Sequence, residues 1–216
     1  MKIYDFPLSP NCRKVRAIVY ELGLKPEFVP VHLFKGEQRE RAIAALNPNT
    51  KVPILVDGDF VLWESNAIAS YLAEGTPLLP TARRERADVE RWASWQLAHI
   101  GPAIAKVAFQ RVVKPMTGQG EPDPRVVDEG IADYTRFAGV LDASLGDREY
   151  VAGRLSIADF ILAAMFSIGT TAGLETAPHP RLDAWLRRVL ARDSMKRALA
   201  DAQAAVPSDR AKAAVA

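Results

Sequence analysis

The sequence predicts an α/β domain followed by an all-α domain. Three observations carry that prediction. Strand and helix signals alternate through the first third of the chain, a Gly- and Pro-bearing break follows at residues 75–80, and beyond it strand signals almost vanish. The chain has 216 residues, enough for one large domain or two small ones with a real core. Its 49% apolar and 25% charged residues are ordinary for a soluble globular protein. A net charge of +2 gives no reason to propose nucleic acid or a membrane as partner. The lone cysteine, Cys12, excludes an internal disulfide framework and fits a reducing compartment. No apolar run approaches the roughly 18 residues that span a bilayer, and Met1 leads straight into a strand pattern without a signal-peptide layout. The expectation is a soluble, cytoplasmic protein.

Taken in order, residues 2–6 read as a strand. Residues 11–22 read as a helix, because Val15, Ile18, Val19 and Leu22 recur at helical spacing. Residues 27–31 form a second strand and residues 37–45 a short helix. Residues 53–56 and 60–62 flank Asp57-Gly58, a strong hairpin signal, and residues 65–73 close the set as a helix. This is the order of a thioredoxin-like domain, assigned to residues 1–75. A right-handed crossover then puts the loop after the first strand at one edge of the sheet. Residues 76–82 are the linker. The second domain, 83–216, is helical: one long helix from Arg83 to about Val113 with a kink at Gly101-Pro102, then helices over 125–145, 156–171, 180–190 and 194–204. Residues 115–124 are rich in loop formers. The tail from about Ala205 is expected to fray.

The stretch around which the chain is organised is Phe6-Pro7-Leu8-Ser9-Pro10-Asn11-Cys12-Arg13. A strand, a Pro-bearing turn and a helix start bring backbone N–H groups and the positive end of a helix dipole to one place, which suits an anion such as a thiolate. Ser9-Pro10-Asn11-Cys12 has the spacing of the Cys-Pro-x-Cys motif of glutaredoxins, with serine where the nucleophile stands. The expectation is a protein that ionises the sulfur of a bound thiol and supplies none of its own. A free thiol has a pKa of about 8.5, and lowering it by about two units requires roughly 2.7 kcal/mol. One charge-assisted hydrogen bond and a helix-terminus field are of that size. The competing reading is that Ser9 only caps its helix.

The chain resembles a cytosolic glutathione transferase over nearly its whole length, in particular the serine-using, theta-like bacterial-type group. The residues that carry the resemblance are Leu8–Arg13, Asn47-Pro48-Asn49-Thr50-Lys51-Val52-Pro53, Asp57-Gly58-Asp59-Phe60, Glu64-Ser65-Asn66-Ala67-Ile68 and Gly153-Arg154-Leu155-Ser156-Ile157-Ala158-Asp159. Each is weak alone; in this order and spacing they are strong together. The resemblance implies the glutathione transferase fold, glutathione as co-substrate, a small apolar electrophile, a role in detoxification and a homodimer. It makes Ser9 the catalytic residue, with Asn11, Cys12 and Arg13 as secondary candidates. Glutathione-binding candidates are Gln38, Lys51, Val52, Pro53, Glu64 and Ser65. The family's cis proline falls at Pro53, where Val52 pairs with the cysteinyl unit. Ser65 and Glu64 take the γ-glutamyl carboxylate and ammonium. Lys51 takes the glycine end with Gln38, which stands where theta enzymes often carry His. Leu8, His99 and Lys106 are weaker candidates for an electrophile pocket.

Two rival functions use the same residues. A thiol-disulfide oxidoreductase would work through Cys12 or bound glutathione, and a non-catalytic module would bind glutathione without turnover. Ser156 and Asp159 read as a capping box, a folding signature with no chemistry. His32, His99 and His179 lack metal-ligand spacing, so no metal is expected. The arginines and Lys196 between Arg181 and Arg197 read as a solvated face.

Overall fold

The structure, a computed structural model, describes residues 1–206. Most of the tail expected to fray, residues 207–216, lies outside the described residues. The chain divides into two compact units, Met1–Leu72 together with the chain from Arg192 onward, and Ala73–Ala191.

The first unit is built on β1 (Lys2–Asp5), α1 (Pro10–Glu21), β2 (Glu27–Pro30), α2 (Arg41–Leu46), β3 (Ile54–Asp57), β4 (Phe60–Trp63) and the start of α3 (Ser65–Ala73). The predicted helix over 37–45 is in fact a 3-10 turn, Glu37–Arg39, followed by the six-residue α2. Glu40 is extended between them, so the two turns do not merge. The sheet order is β2-β1-β3-β4, with β1 parallel to β2 and antiparallel to β3. The loop leaving β1 therefore starts from an inner strand, not from the edge the crossover rule alone suggested. The crossover through α1 fixes β2 on one side of β1, and β3 returns to take the other. The β3–β4 hairpin turns through Gly58 and Asp59, one residue later than Asp57-Gly58, and Gly58 supplies the left-handed φ of 63°.

A helix from the far end of the sequence completes this unit. α10 (Asp193–Ala204) packs on α1, and Arg16 ion-pairs with both Asp5 at 2.5 Å and Asp201 at 2.7 Å. The Tyr20 hydroxyl donates to Asp201 at 2.5 Å, and Arg192 and Ser194 both bind Glu21. Arg197 lies 4.0 Å over the Tyr20 ring. Arg192 and Arg197, read from sequence as part of a solvated face, are thus engaged with α1.

The second unit contains α4 (Arg83–Trp95), α5 (Gly101–Ala108), α6 (Lys114–Thr117), α7 (Pro124–Leu145), α8 (Ile157–Thr171) and α9 (Pro180–Leu190). The long helix predicted from Arg83 does not simply kink. It continues to Thr117 through two π-helical stretches, Gln96–Ile100 and Phe109–Val113, each ending shortly before a proline, Pro102 or Pro115. A widened turn relieves the clash between the proline ring and the carbonyl four residues back, so the chain stays helical through Pro102, where a kink was expected, and through Pro115, where a loop was. Gly118, with φ 67°, ends it. α8 reads as a single apolar stripe in sequence, yet every residue from Ile157 to Ser167 is buried, because α4, α5 and α9 all pack on it. Gly130 lets α7 approach α5: a Cβ there would sit 2.7 Å from Val107 Cγ2.

The start of α8 is closed by side chains of its own unit. Ser156 and Asp159 form the capping box the sequence predicts. Asp159, wholly buried, accepts from the backbone N–H of Ser156 at 2.9 Å and of Val151 at 3.0 Å, from the Ser156 hydroxyl, and from Trp185 Nε1 at 2.9 Å.

Candidate active site

The loop after β1 is held by its own backbone. Ser9 N–H donates to the Phe6 carbonyl and Arg13 N–H to the Ser9 carbonyl, each at 2.9 Å. Pro10 opens α1, a position where its missing N–H costs no helical bond. Ser9 is the N-cap residue, but its side chain makes no capping hydrogen bond. That removes the simplest structural account of this serine. Its hydroxyl interacts instead with the sulfur of Cys12, and the residue is half-buried.

Cys12 is fully buried in a cluster with Phe6, Val31 and Val52, and its sulfur accepts the Phe6 N–H at 3.3 Å. Burial, reinforced by the charge of Asp5, pushes its thiol up to about 12. A protonated, inaccessible thiol is a core residue and a poor nucleophile. Leu8 packs against the same cluster. Arg13 is also buried, with Nη2 3.5 Å from the Leu8 carbonyl. Burial lowers its pKa from the usual guanidinium range.

Asn47 organises the second wall, a role that sequence reasoning missed by treating it only as part of a turn. Its Nδ2 donates to the Lys51 carbonyl at 2.8 Å, while its Oδ1 accepts from the Asn49 backbone at 3.0 Å and side chain at 3.1 Å. Asn47 is 3% exposed, so these bonds form away from competing water. They fix the segment that leads into Val52–Pro53, whose peptide bond is cis. The turn also holds Thr50 at φ 51°.

The third wall is the start of α3. Glu64 has φ 74°, an unusual conformation for a residue with a side chain, and it aims the chain into Ser65. Ser65 is buried, and its hydroxyl donates to Asn11 Oδ1 at 3.3 Å. One position on, Asn66 Oδ1 accepts from Lys14 Nζ at 2.9 Å. The first turns of α1 and α3 are therefore bridged twice by side chains, and two helix N-termini stand together. Neither Lys14 nor Asn66 stands out as a site residue in the sequence, since a charged residue on the apolar side of a helix gives no periodic signal.

The remaining candidates are dispersed. Lys51 is exposed and contributes its carbonyl to the Asn47 turn. Gln38 lies in the 3-10 turn Glu37–Arg39 with a buried Oε1 that has no hydrogen-bond partner. In the helical unit, His99 stacks on Phe137 at 5.1 Å and on Trp95 at 6.3 Å, and Lys106 pairs with Asp133 at 3.2 Å. Both side chains are thus engaged by their own unit. A cleft of about 250 Å³ in that unit is lined by Tyr134, Leu174 and His179 among others, and by neither His99 nor Lys106. Among the described residues, no group of three or more His, Cys, Asp or Glu side chains is placed to hold a metal ion, and no helix is long and apolar enough to cross a membrane.

Comparison with known proteins shows the family. Residues 3–80 match the family "Glutathione S-transferase, N-terminal domain" and residues 101–193 match "Glutathione S-transferase, C-terminal domain". Glutathione S-transferase 3 of Zea mays is 36% identical over 209 residues, covering 93% of each chain. The crystal structure of glutathione transferase F7 from Populus trichocarpa superposes with a TM-score of 0.87 at 30% identity, covering 93% of this chain and 98% of that one. A glutathione transferase from Pseudomonas putida, solved with one glutathione disulfide bound per subunit, has a TM-score of 0.82 at 27% identity, covering 92% and 90%. These relatives do not support the theta-like, bacterial-type placement. F-class (phi) plant enzymes recur among them. The motifs used for that placement describe the thiol-site backbone, which does not distinguish one serine-using group from another.

Proposed function

This chain belongs to the glutathione S-transferase family, and on that premise we propose that Ser9 activates the thiolate of bound glutathione for attack on small apolar electrophiles. The protein is a transferase with glutathione as its co-substrate. The observation that carries the role of Ser9 is its uncommitted capping position: it stands at the N-terminus of α1 with no capping bond. Rotation about χ1 takes its hydroxyl from the Cys12 sulfur to a ligand sulfur at the same helix end. There the hydrogen bond and the helix field both favour the charged form.

The rest of the tripeptide follows the three walls. The Val52 backbone, fixed by the Asn47 turn, pairs with the cysteinyl unit as an added strand. Ser65 and the α3 N-terminus receive the γ-glutamyl carboxylate, and the exposed Glu64 meets the ammonium. Lys51 and Gln38 face the glycine end; a carboxylate there needs the Nε2 side of the Gln38 amide. Asn11 and Arg13 position these groups: Asn11 through Ser65, and Arg13 through the Leu8 carbonyl. The redox alternative through Cys12 loses its nucleophile to burial. Catalysis then consists of thiolate generation and proximity. We assign a cytoplasmic homodimer with a detoxifying role on the strength of the family.

The test is retention on immobilised glutathione followed by ultraviolet difference spectra and a panel of halogenated, epoxide, nitroaromatic and peroxide substrates. Mercaptide absorbance near neutrality that is lost in Ser9→Ala, with turnover of at least one electrophile, supports the reading. The same absorbance in Ser9→Ala overturns it.

A further inference from the structure

Lys14 is the least expected charge in the first unit. It lies on α1 two residues beyond Cys12, its side chain is fully buried, and its Nζ reaches across to Asn66 Oδ1 at 2.9 Å, joining residues 52 positions apart. An ammonium in such a place is costly unless something nearby uses its charge. What lies nearby is the turn Glu64-Ser65 and the first turn of α3, bridged to α1 a second time through Ser65 and Asn11. Two positively polarised helix starts and one buried basic side chain converge on a place where Glu64, whose charge acts on Lys14, is exposed.

We propose that Lys14 is a positioning residue whose ammonium, presented through Asn66, is the counter-charge for an anionic carboxylate docking at Ser65, so that the docking takes up a proton. This rests on the reading that the γ-glutamyl carboxylate of glutathione binds at Ser65. Titratable groups that act on Lys14 include Cys12 on its own helix, which is neutral, and Glu64 from the turn before α3; from α3 it meets the uncharged Asn66. Burial outweighs the help of Glu64 and draws the ammonium down to about 7, so near neutrality the empty site is only partly charged. A carboxylate arriving one residue from Asn66 favours the charged form and draws a proton from the buffer.

The experiment is calorimetric titration of the wild-type protein with S-methylglutathione at pH 7.5 in HEPES and in Tris, whose ionisation enthalpies differ. The thioether has no thiol proton to release. Expected is an uptake on the order of half a proton per site. Lys14→Met should bind about tenfold more weakly, the size of one charge-assisted contact, and show no uptake. Wild-type binding without uptake, or unchanged uptake in Lys14→Met, overturns the role of Lys14 and leaves the glutathione site standing. Failure of the wild type to bind S-methylglutathione overturns the glutathione site itself, and the role of Lys14 with it. The wild-type measurement decides without a variant, so a misfolded Lys14→Met chain does not shelter the proposal.

Discussion

Two helix starts in this molecule, those of α8 and α1, both begin with serine and have opposite characters. At α8, Ser156 and Asp159 satisfy one another, and Asp159 takes further donors from Val151 and Trp185. At α1, Ser9 makes no capping bond, Pro10 withholds an N–H, and the basic side chains of the first turns, Arg13 and Lys14, are both buried. A helix start that closes on itself is a piece of scaffold. One that keeps its serine out of the cap and buries basic side chains in its first turns is prepared for an anion.

The sharpest way to break the contrast is Asp159→Ala. It orphans several buried donors at once and should cost about 3–5 kcal/mol in urea unfolding, with ligand affinity unchanged in the folded fraction. Ser9→Ala should do the reverse, lowering kcat/KM by about 10- to 100-fold while moving the unfolding free energy by less than about 0.5 kcal/mol. A large loss of stability in Ser9→Ala would make α1 a second scaffold end. The buried cation gives a third handle. Its folded pKa, about 7, lies below the usual lysine value, so between about 7 and 10.5 the unfolded chain binds more protons than the native one. Stability should therefore rise with pH across that window, by at most about 1.4 kcal/mol per pH unit from this group, and Lys14→Met should flatten the rise. The smallest effect belongs to Cys12→Ala: a stability loss on the order of 1 kcal/mol and conjugation activity within about twofold. Activity that disappears in this variant would restore the sulfur as nucleophile.

The sequence made the α8 start more legible than the α1 site. A capping box is local, four residues long, and its meaning does not depend on the rest of the chain. Helix and strand order was legible for the same reason, since periodicity is a short-range signal. What escaped was set by distant partners. Asn66 meets Lys14 across 52 residues and Ser65 meets Asn11 across 54, and nothing in either segment announces the other. The π-helical stretches before Pro102 and Pro115 escaped because proline reads as a kink or a loop in sequence, whereas here the helix widens and continues. Cys12, a secondary catalytic candidate in the sequence, proves to be a core residue inside the first turn of α1, because its burial depends on packing that the local motif does not announce.

The ion pair of Arg16 with Asp201 spans 185 residues, so the sheet unit is begun before the helical segment in the chain and completed by a helix that follows it. The helical segment between them is a compact unit of its own and can settle while the sheet still waits for its final helix. For that interval α1 carries Glu21, Arg16 and Tyr20 without their α10 counterparts, a charged helix face that only the last-placed helix of the unit satisfies.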